Sequence, residues 1–249
     1  MPSPVAGIEL WSLDLRSHPC DAARAGLSGD DHARWARLGS CEADRLLARR
    51  ALLRGIVAAE AGCRVEDVRV PVGAGPRTAE TPGGHRRYCS VSSSGGRALV
   101  ALADVPVGVD LEQAPGPPDG LVVAQHVLPA AEARWIARGG PAAPERFLAT
   151  WVRKEAVVKC TGEGLHRDLR SFVVDARLPV ATVSVDGALP GEMVLADVPV
   201  PDGFAALAVA VGWSAEGRIA PGRSGARHDG AMDDPAETST TGNDVGEVR

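Results

Sequence analysis

The chain has 249 residues, of which 45% are hydrophobic and 24% charged, and its formal net charge is −5. This composition is typical of a soluble globular protein with room for one large domain or two small ones. The acidic balance argues against a nucleic-acid or anionic-membrane partner. No apolar run reaches the roughly 18 residues that a membrane span needs, and the first residues lack the pattern of a secretion signal.

The cysteines indicate a reducing compartment. They form an odd-numbered set without C-x-x-C spacing, namely Cys20, Cys41, Cys63, Cys89 and Cys160. Such a set favours free thiols over a disulfide framework or a zinc site. We therefore expect a cytoplasmic protein.

The first predicted elements are a strand and a basic helix. Residues 7–15 alternate apolar and polar side chains, which predicts a strand, and residues 43–61 carry an apolar stripe at helical spacing. The other face of this helix holds four arginines: Arg45, Arg49, Arg50 and Arg54. For most of them a solvated basic face is the default interpretation. The alternative is a phosphate or acidic-partner site, because the guanidinium group offers forked donors.

The middle of the chain brings two carboxylates together. Residues 71–86 are rich in Gly, Pro and Thr and predict a loop, and a serine-rich stretch at 88–95 follows. Two apolar runs in 97–112 flank a short break at 104–106, which predicts a β-hairpin or a tight strand–strand connection. Asp110 and Glu112 lie two residues apart, so both point to one side of the strand. Adjacent like charges repel unless a cation or strong donor lies between them; a solvated strand end is the alternative.

The second half is predicted to contain more helix and several strands. Residues 113–120 form a Pro/Gly loop at the boundary between halves, and a helical pattern at 121–138 is interrupted by Pro129. A strong helix is predicted at 147–160. Strands are then predicted at about 171–175, 181–185, 193–197 and 204–212, and the polar residues 214–249 predict a disordered tail.

The helix at 147–160 carries an unusual stripe. Trp151, Glu155 and Lys159 are four residues apart and therefore lie on one helical face, and Gly162 and Gly164 end the helix. A plain surface Glu–Lys pair, worth about 0.3–0.5 kcal/mol, is the alternative if the helix is considered alone. The acidic strand upstream favours a functional site instead.

Two motifs together carry a family resemblance. Gly108-Val109-Asp110-Leu111-Glu112 is followed about forty residues later by Trp151-Val152-Arg153-Lys154-Glu155-Ala156, then by Lys159 and Gly162-Glu163-Gly164-Leu165. In order and spacing they resemble the Sfp-type phosphopantetheinyl transferases, over roughly residues 7–213. The resemblance implies an α/β (α+β) fold of two similar halves, a pseudo-dimer with the active site between them. We set the halves at 1–112 (basic helix, coenzyme A side) and 113–213 (metal-binding helix and strands), with the tail at 214–249.

The resemblance also implies an activity. It is that of a Mg²⁺-dependent holo-[acyl-carrier-protein] synthase, which transfers the phosphopantetheine arm of coenzyme A to a serine of an acyl or peptidyl carrier protein and releases 3′,5′-ADP. The carrier would serve fatty acid, polyketide, nonribosomal peptide or siderophore synthesis, and we expect a monomer. Asp110, Glu112 and Glu155 would bind Mg²⁺, whose hard oxygen preference they suit. Glu155 and Lys159 would be catalytic.

Coenzyme A would be bound by the basic helix and the serine-rich stretch. The implied residues are Arg45, Arg77, Ser92, Ser93 and Lys159. Ser93 stands where the family has a histidine that helps hold the ribose 3′-phosphate, and serine cannot carry a positive charge. We therefore predict weak discrimination between coenzyme A and its 3′-dephospho form.

Two other classes of function remain as alternatives. One is a non-catalytic relic that binds carrier proteins, although a relic has no physical need to hold three carboxylates and Lys159 together. The other is a different Mg²⁺-dependent phosphohydrolase, but the sequence shows no other phosphate-cradling motif such as G-x-x-x-x-G-K-[ST].

Overall fold

The computed structural model describes residues 7–15, 40–71, 75–187 and 189–213, and within these ranges it leaves the side chains of residues 40–47 and 165 undescribed. The predicted tail at 214–249 lies outside the described residues. The helices are α1 (Ser40–Ala61), α2 (Gly120–Val127), α3 (Ala130–Ala137) and α4 (Ala143–Thr161). The strands are β1 (Ile8–Asp14), β2 (Thr78–Glu80), β3 (Arg86–Ser94), β4 (Arg97–Ala103), β5 (Val107–Gln113), β6 (Val180–Val185), β7 (Gly191–Asp197) and β8 (Gly203–Ala210).

The strands form two antiparallel four-stranded sheets. The first has the order β1-β4-β3-β2 and the second the order β5-β8-β7-β6. Helices pack on these sheets, which confirms the predicted mixed α/β class; the pseudo-dimer stays a prediction. Strands β4 and β5 lie in different sheets, so the break at 104–106 is a tight connection and not a hairpin. Strand β5, which contains the predicted boundary after residue 112, pairs with β8 through backbone hydrogen bonds; the division into halves stays a prediction.

Helix α1 covers the first sheet. Leu53 and Val57 of this helix join Val100 and Leu102 of β4 in one buried cluster. The default interpretation of a solvated arginine face is wrong for two residues, because Arg50 and Arg54 are only 3% and 4% exposed. The guanidinium of Arg54 donates to the carbonyl of Val68 at 2.6 Å, so a backbone acceptor compensates its burial.

Helix α4 lies against β5 and β8 and carries much of the second core. Val152, Ala156, Val157 and Cys160 pack with buried residues of the second sheet. The helix approaches β5 most closely at Gly108, where an added Cβ would lie 1.9 Å from the carbonyl oxygen of Ala156. Only a residue without a side chain allows this approach, which brings the carboxylates of β5 next to the polar stripe of α4.

Several predicted bounds change in the structure. Helix α4 begins at Ala143, four residues earlier than predicted, with Pro144 in its first turn, where a missing N–H is tolerated. It ends at Thr161, and Gly162 stops the helix as predicted, with a left-handed φ of 71°. The predicted loop at 71–86 contains the short strand β2.

The strand predicted at 171–175 is wrong. A single 3₁₀ turn at Leu169–Ser171 leads into buried Phe172 and Val174, and the backbone N–H of Val174 donates to Glu132 instead of to a neighbouring strand. The apolar alternation there reflects the burial of Phe172 and Val174 in the core cluster formed by α4 and the second sheet. None of the helices that the structure describes is both long enough and apolar enough to cross a membrane.

Candidate active site

Alternate serines of β3 anchor the acidic strand β5. The hydroxyl of Ser90 accepts from the backbone N–H of Val109 at 3.0 Å. The hydroxyl of Ser92 donates to Oδ1 of Asp110 at 2.8 Å, and that of Ser94 donates to Oε2 of Glu112 at 3.0 Å. Residues two apart in a strand share a face, so the serine-rich sequence presents a row of hydroxyls to β5. This row fixes both carboxylates on one side, as predicted.

Lys159 of α4 completes the contact with Asp110. Its Nζ lies 2.5 Å from Oδ1 of Asp110 and 3.0 Å from the hydroxyl of Ser92. The Asp110 side chain is 4% exposed, whereas that of Lys159 is 29% exposed. The ion pair therefore joins a buried carboxylate to a lysine whose side chain is still partly exposed.

The other two carboxylates are held in an environment that disfavours their charges. Burial, followed by the charge of Asp110, raises the pKa of Glu112, although the Ser94 hydrogen bond and Lys159 act in the opposite direction. Burial and the charge of Asp110 also raise the pKa of Glu155, with a smaller contribution from Glu112 and an opposing one from Lys159. The four groups therefore act on one another, across β5 and α4, as a single electrostatic cluster.

The predicted stripe of α4 is present in the structure. Trp151, Glu155 and Lys159 are all half-buried, while their neighbours Val152 and Ala156 are buried in the core. The ring of Trp151 stacks on that of Phe147, with centroids 5.7 Å apart. The stripe thus borders the core without belonging to it.

A cavity of about 490 Å³ opens beside Lys159. It lies between α1, the loop at 75–77, β3 and the C-terminal end of α4, and basic side chains of Arg49, Arg50, Arg77, Arg86 and Lys159 line it. Gly162 meets the opposite wall, because an added Cβ would lie 1.7 Å from the carbonyl oxygen of Gly75. This size suits a small organic ligand, and the charges favour an anionic one.

The structure brings most of the predicted site residues together. Asp110, Glu112, Glu155, Lys159 and Ser92 form the cluster described above.

The remaining predicted residues are the coenzyme A ligands. Arg77 lines the cavity. The side chain of Arg45 lies outside the described residues, although Arg49 and Arg50 of the same helix line the cavity. Ser93 is half-buried on the opposite face of β3 from Ser92, beyond the cavity residues Cys89 to Val91. Its role toward a ligand stays a prediction.

A buried ion pair beside the site was missed by the sequence analysis. Lys154 and Glu132 are fully buried and lie 2.9 Å apart. Lys154 also donates to the carbonyls of Leu169 and Phe172, and Glu132 accepts from the N–H of Val174 at 2.7 Å. The lysine that precedes Glu155 thus ties α4 to α3 and to the segment after the helix. The only sign of this pair in the sequence was Glu132, a carboxylate among the apolar residues of α3.

The carboxylates of this cluster are possible ligands for a divalent cation. In the described part of the chain, no three His, Cys, Asp or Glu side chains are grouped closely enough to hold a metal as they stand. The chemistry nevertheless fits Mg²⁺, because the site offers only carboxylate oxygens. Oδ2 of Asp110 is also buried and has no hydrogen-bond partner among the described residues. A cation beside this oxygen would offset both the burial and the repulsion by Asp110, which together raise the pKa values of Glu112 and Glu155.

One segment of the chain is similar to a known protein family. A search of curated proteins found no match. Residues 106–186 match a family model described as ACPS, the 4′-phosphopantetheinyl transferase superfamily. The match covers about a third of the chain and includes both β5 and α4, the elements that carry Asp110, Glu112, Glu155 and Lys159. This segment is therefore similar to phosphopantetheinyl transferases, which supports phosphopantetheine transfer in general.

Proposed function

We propose that the protein transfers the phosphopantetheine arm of coenzyme A to a serine hydroxyl of an acyl or peptidyl carrier protein and releases 3′,5′-ADP. The observation that carries this proposal is the position of Lys159. Its amine contacts Asp110 within the carboxylate cluster, and the residue also lines the basic cavity. A polyanionic donor in the cavity would therefore have its phosphates next to the acidic cluster.

The cavity supports coenzyme A as the donor. Arg49 and Arg50 approach it from α1 and Arg77 from the facing loop, so cationic groups lie on two of its walls. Guanidinium groups bind phosphate through paired donors, which suits a ligand with three phosphate groups. The Gly75-Pro76 backbone lies so close to Gly162 that a side chain there would collide with it, so this part of the cavity wall consists of backbone.

The residues of α4 would perform the proton and charge chemistry. The serine oxygen of the carrier attacks the β-phosphorus of coenzyme A, and the bond from that phosphorus to the bridging oxygen breaks. 3′,5′-ADP leaves with the bonding electron pair. Glu155 would accept the serine proton. Its raised pKa favours this role, because a carboxylate with a higher pKa is a stronger base. Lys159 would donate to the phosphate oxygens as their charge increases.

Mg²⁺ would be held by Asp110, Glu112 and Glu155, and when bound it supplies neutralisation of the diphosphate charge. The contribution of the chain is to hold these carboxylates in place. Ser92 and Ser94 fix two of them through hydrogen bonds, and α4 supplies the third from its rigid helical frame. Positioning of this kind accounts for much of the rate in phosphoryl transfer.

Helix α2 would receive the carrier protein. Leu121 and Val122 are 38% and 55% exposed, and they lie at the start of the helix. Large exposed apolar side chains side by side are unusual on a surface that contacts only water. In the family that the sequence resembles, this region lies near the carrier-protein dock, which supports this assignment.

The decisive experiment is mass spectrometry of an apo carrier protein incubated with this protein, coenzyme A and Mg²⁺. We expect the carrier mass to increase by one phosphopantetheine group, at its serine. Asp110→Ala and Glu112→Ala should abolish this product at limiting Mg²⁺ while the fold survives. The matched control is Glu192→Gln, an exposed carboxylate on β7, which should transfer at the parental rate.

Other outcomes would select the alternatives. Carrier binding without any mass change, across several carrier proteins, would indicate the non-catalytic relic. Release of nucleotide from coenzyme A without a carrier would indicate a phosphohydrolase. Near-parental transfer by both alanine variants at limiting Mg²⁺ would overturn the role of the carboxylates.

A further inference from the structure

Lys159 occupies a position that a divalent cation would also favour. Its ammonium group lies 2.5 Å from Oδ1 of Asp110, a side chain that is 4% exposed. Burial of a carboxylate without a neutralising partner is costly, so this amine stabilises the charge of Asp110. The hydroxyl of Ser92 lies within hydrogen-bond distance of both groups and holds the pair together.

The charge of the same amine also acts on the other two carboxylates of the cluster. It is the positive charge that acts on both Glu112 and Glu155, which otherwise repel each other and Asp110. The other lysine of the chain, Lys154, is fully buried in its pair with Glu132 and is not available here. In the described part of the chain, the cationic neutralisation of this cluster thus depends on one side chain.

We propose that Lys159 is an exchangeable internal cation: it holds Asp110 until a divalent metal binds, and then releases this carboxylate and turns its amine to an anionic phosphate ligand in the cavity. Three observations support the exchange. Lys159 is 29% exposed and lines the cavity, so there is open space next to its side chain into which the amine can move. Oδ2 of Asp110 offers a buried acceptor without a described partner. The four flexible bonds of a lysine side chain allow the movement without a change in the helix.

The exchange gives the site an order of assembly. While the amine is held by Asp110, it is a poorer donor to a phosphate in the cavity. Metal binding should therefore strengthen phosphate binding, and phosphate binding should strengthen metal binding to the same extent. This inference rests on the proposed function for the identity of the donor. Its tests use only the protein and a metal, so the exchange and the proposed transfer activity can be refuted separately.

The first test measures metal affinity. Lys159→Met keeps the length of the side chain and removes its charge, and we expect it to bind Mn²⁺ about tenfold more tightly than the parent by calorimetry, because the metal no longer competes with an ion pair. Arg86→Met is the matched control, since it removes another cation that lines the same cavity. Its Mn²⁺ affinity should stay within about twofold of the parent. Equal affinities in Lys159→Met and the parent would overturn the proposal.

The second test measures stability. Without added metal, Lys159→Met should melt several degrees below the parent, because the buried carboxylate has lost its cation. Saturating Mn²⁺ should remove most of that difference, since a ligand of the native state stabilises it. A loss that Mn²⁺ leaves unchanged would mean that Lys159 has a purely structural role.

The third test follows the amine itself. Because Lys154 and Lys159 are the only lysines of the chain, protein labelled with ¹³C at lysine Cε gives two lysine signals, and Lys159→Met identifies which is which. Saturation with Mg²⁺ should move the Lys159 signal toward that of an exposed lysine, while the buried Lys154 signal serves as the internal reference. A Lys159 signal that stays in place at saturating Mg²⁺ would overturn the exchange. Exchange without carrier modification would instead overturn only the proposed transfer.

Discussion

Replacing Lys154 by methionine should destabilise the protein strongly, although no ligand is expected to touch this residue. The side chain is fully buried. Its amine forms an ion pair with Glu132 at 2.9 Å and donates to the carbonyl of Leu169 at 2.9 Å and to the carbonyl of Phe172. Methionine is an unbranched side chain of similar length, so we expect the loss to be mainly that of the polar contacts.

The magnitude follows from what the substitution leaves behind. Removing one partner of a buried ion pair costs about 3–5 kcal/mol, because the other charge remains in a low-dielectric environment. Two carbonyl oxygens also lose a donor. For a protein of this size, 1 kcal/mol corresponds to about 2–4 °C, which predicts a decrease in Tm of roughly 6–20 °C.

Urea unfolding followed by circular dichroism, together with calorimetry, would measure this change. The control is Arg64→Met, which removes a cation whose side chain is 71% exposed and whose ion pairs with Glu66 and Asp67 lie at the surface. It should leave Tm unchanged. A Lys154→Met protein within about 1 kcal/mol of the parent would refute the argument that this pair is a structural tie.

Two further predictions concern packing and thiol reactivity. Gly108→Ala should lower the unfolding free energy by about 1–3 kcal/mol and weaken metal-dependent transfer, because the new methyl group would force α4 away from β5; Gly55→Ala, with open space around its Cβ, should be neutral or slightly stabilising in the same urea titration. Burial raises the pKa of the Cys89 and Cys160 thiols to about 12, so at pH 8 iodoacetamide should modify half-buried Cys63 and leave these two unmodified in the folded protein. Peptide mapping by mass spectrometry checks this, and rapid labelling of Cys160 would show that α4 opens from the sheet.

The sequence by itself determined the elements that carry the site. Periodicity placed α4 and its stripe of Trp151, Glu155 and Lys159, and strand alternation placed Asp110 and Glu112 on one side of β5. These features are local, since helical and strand spacing fix which side chains share a face. The mixed α/β class was implied by the family resemblance of the two motifs, and the two antiparallel sheets with their helices confirm it.

The tertiary structure decided how those elements meet and which charges are buried. Spacing along the chain did not reveal that Lys159 would contact Asp110, because residues 49 positions apart meet only through the packing of α4 on β5. It also did not distinguish solvated arginines from buried Arg50 and Arg54, or predict that Lys154 would pair with Glu132. A charged side chain follows no periodic pattern when it is buried, because its partner comes from a distant segment. Whether a charge is exposed, paired or positioned for chemistry is therefore decided by the fold.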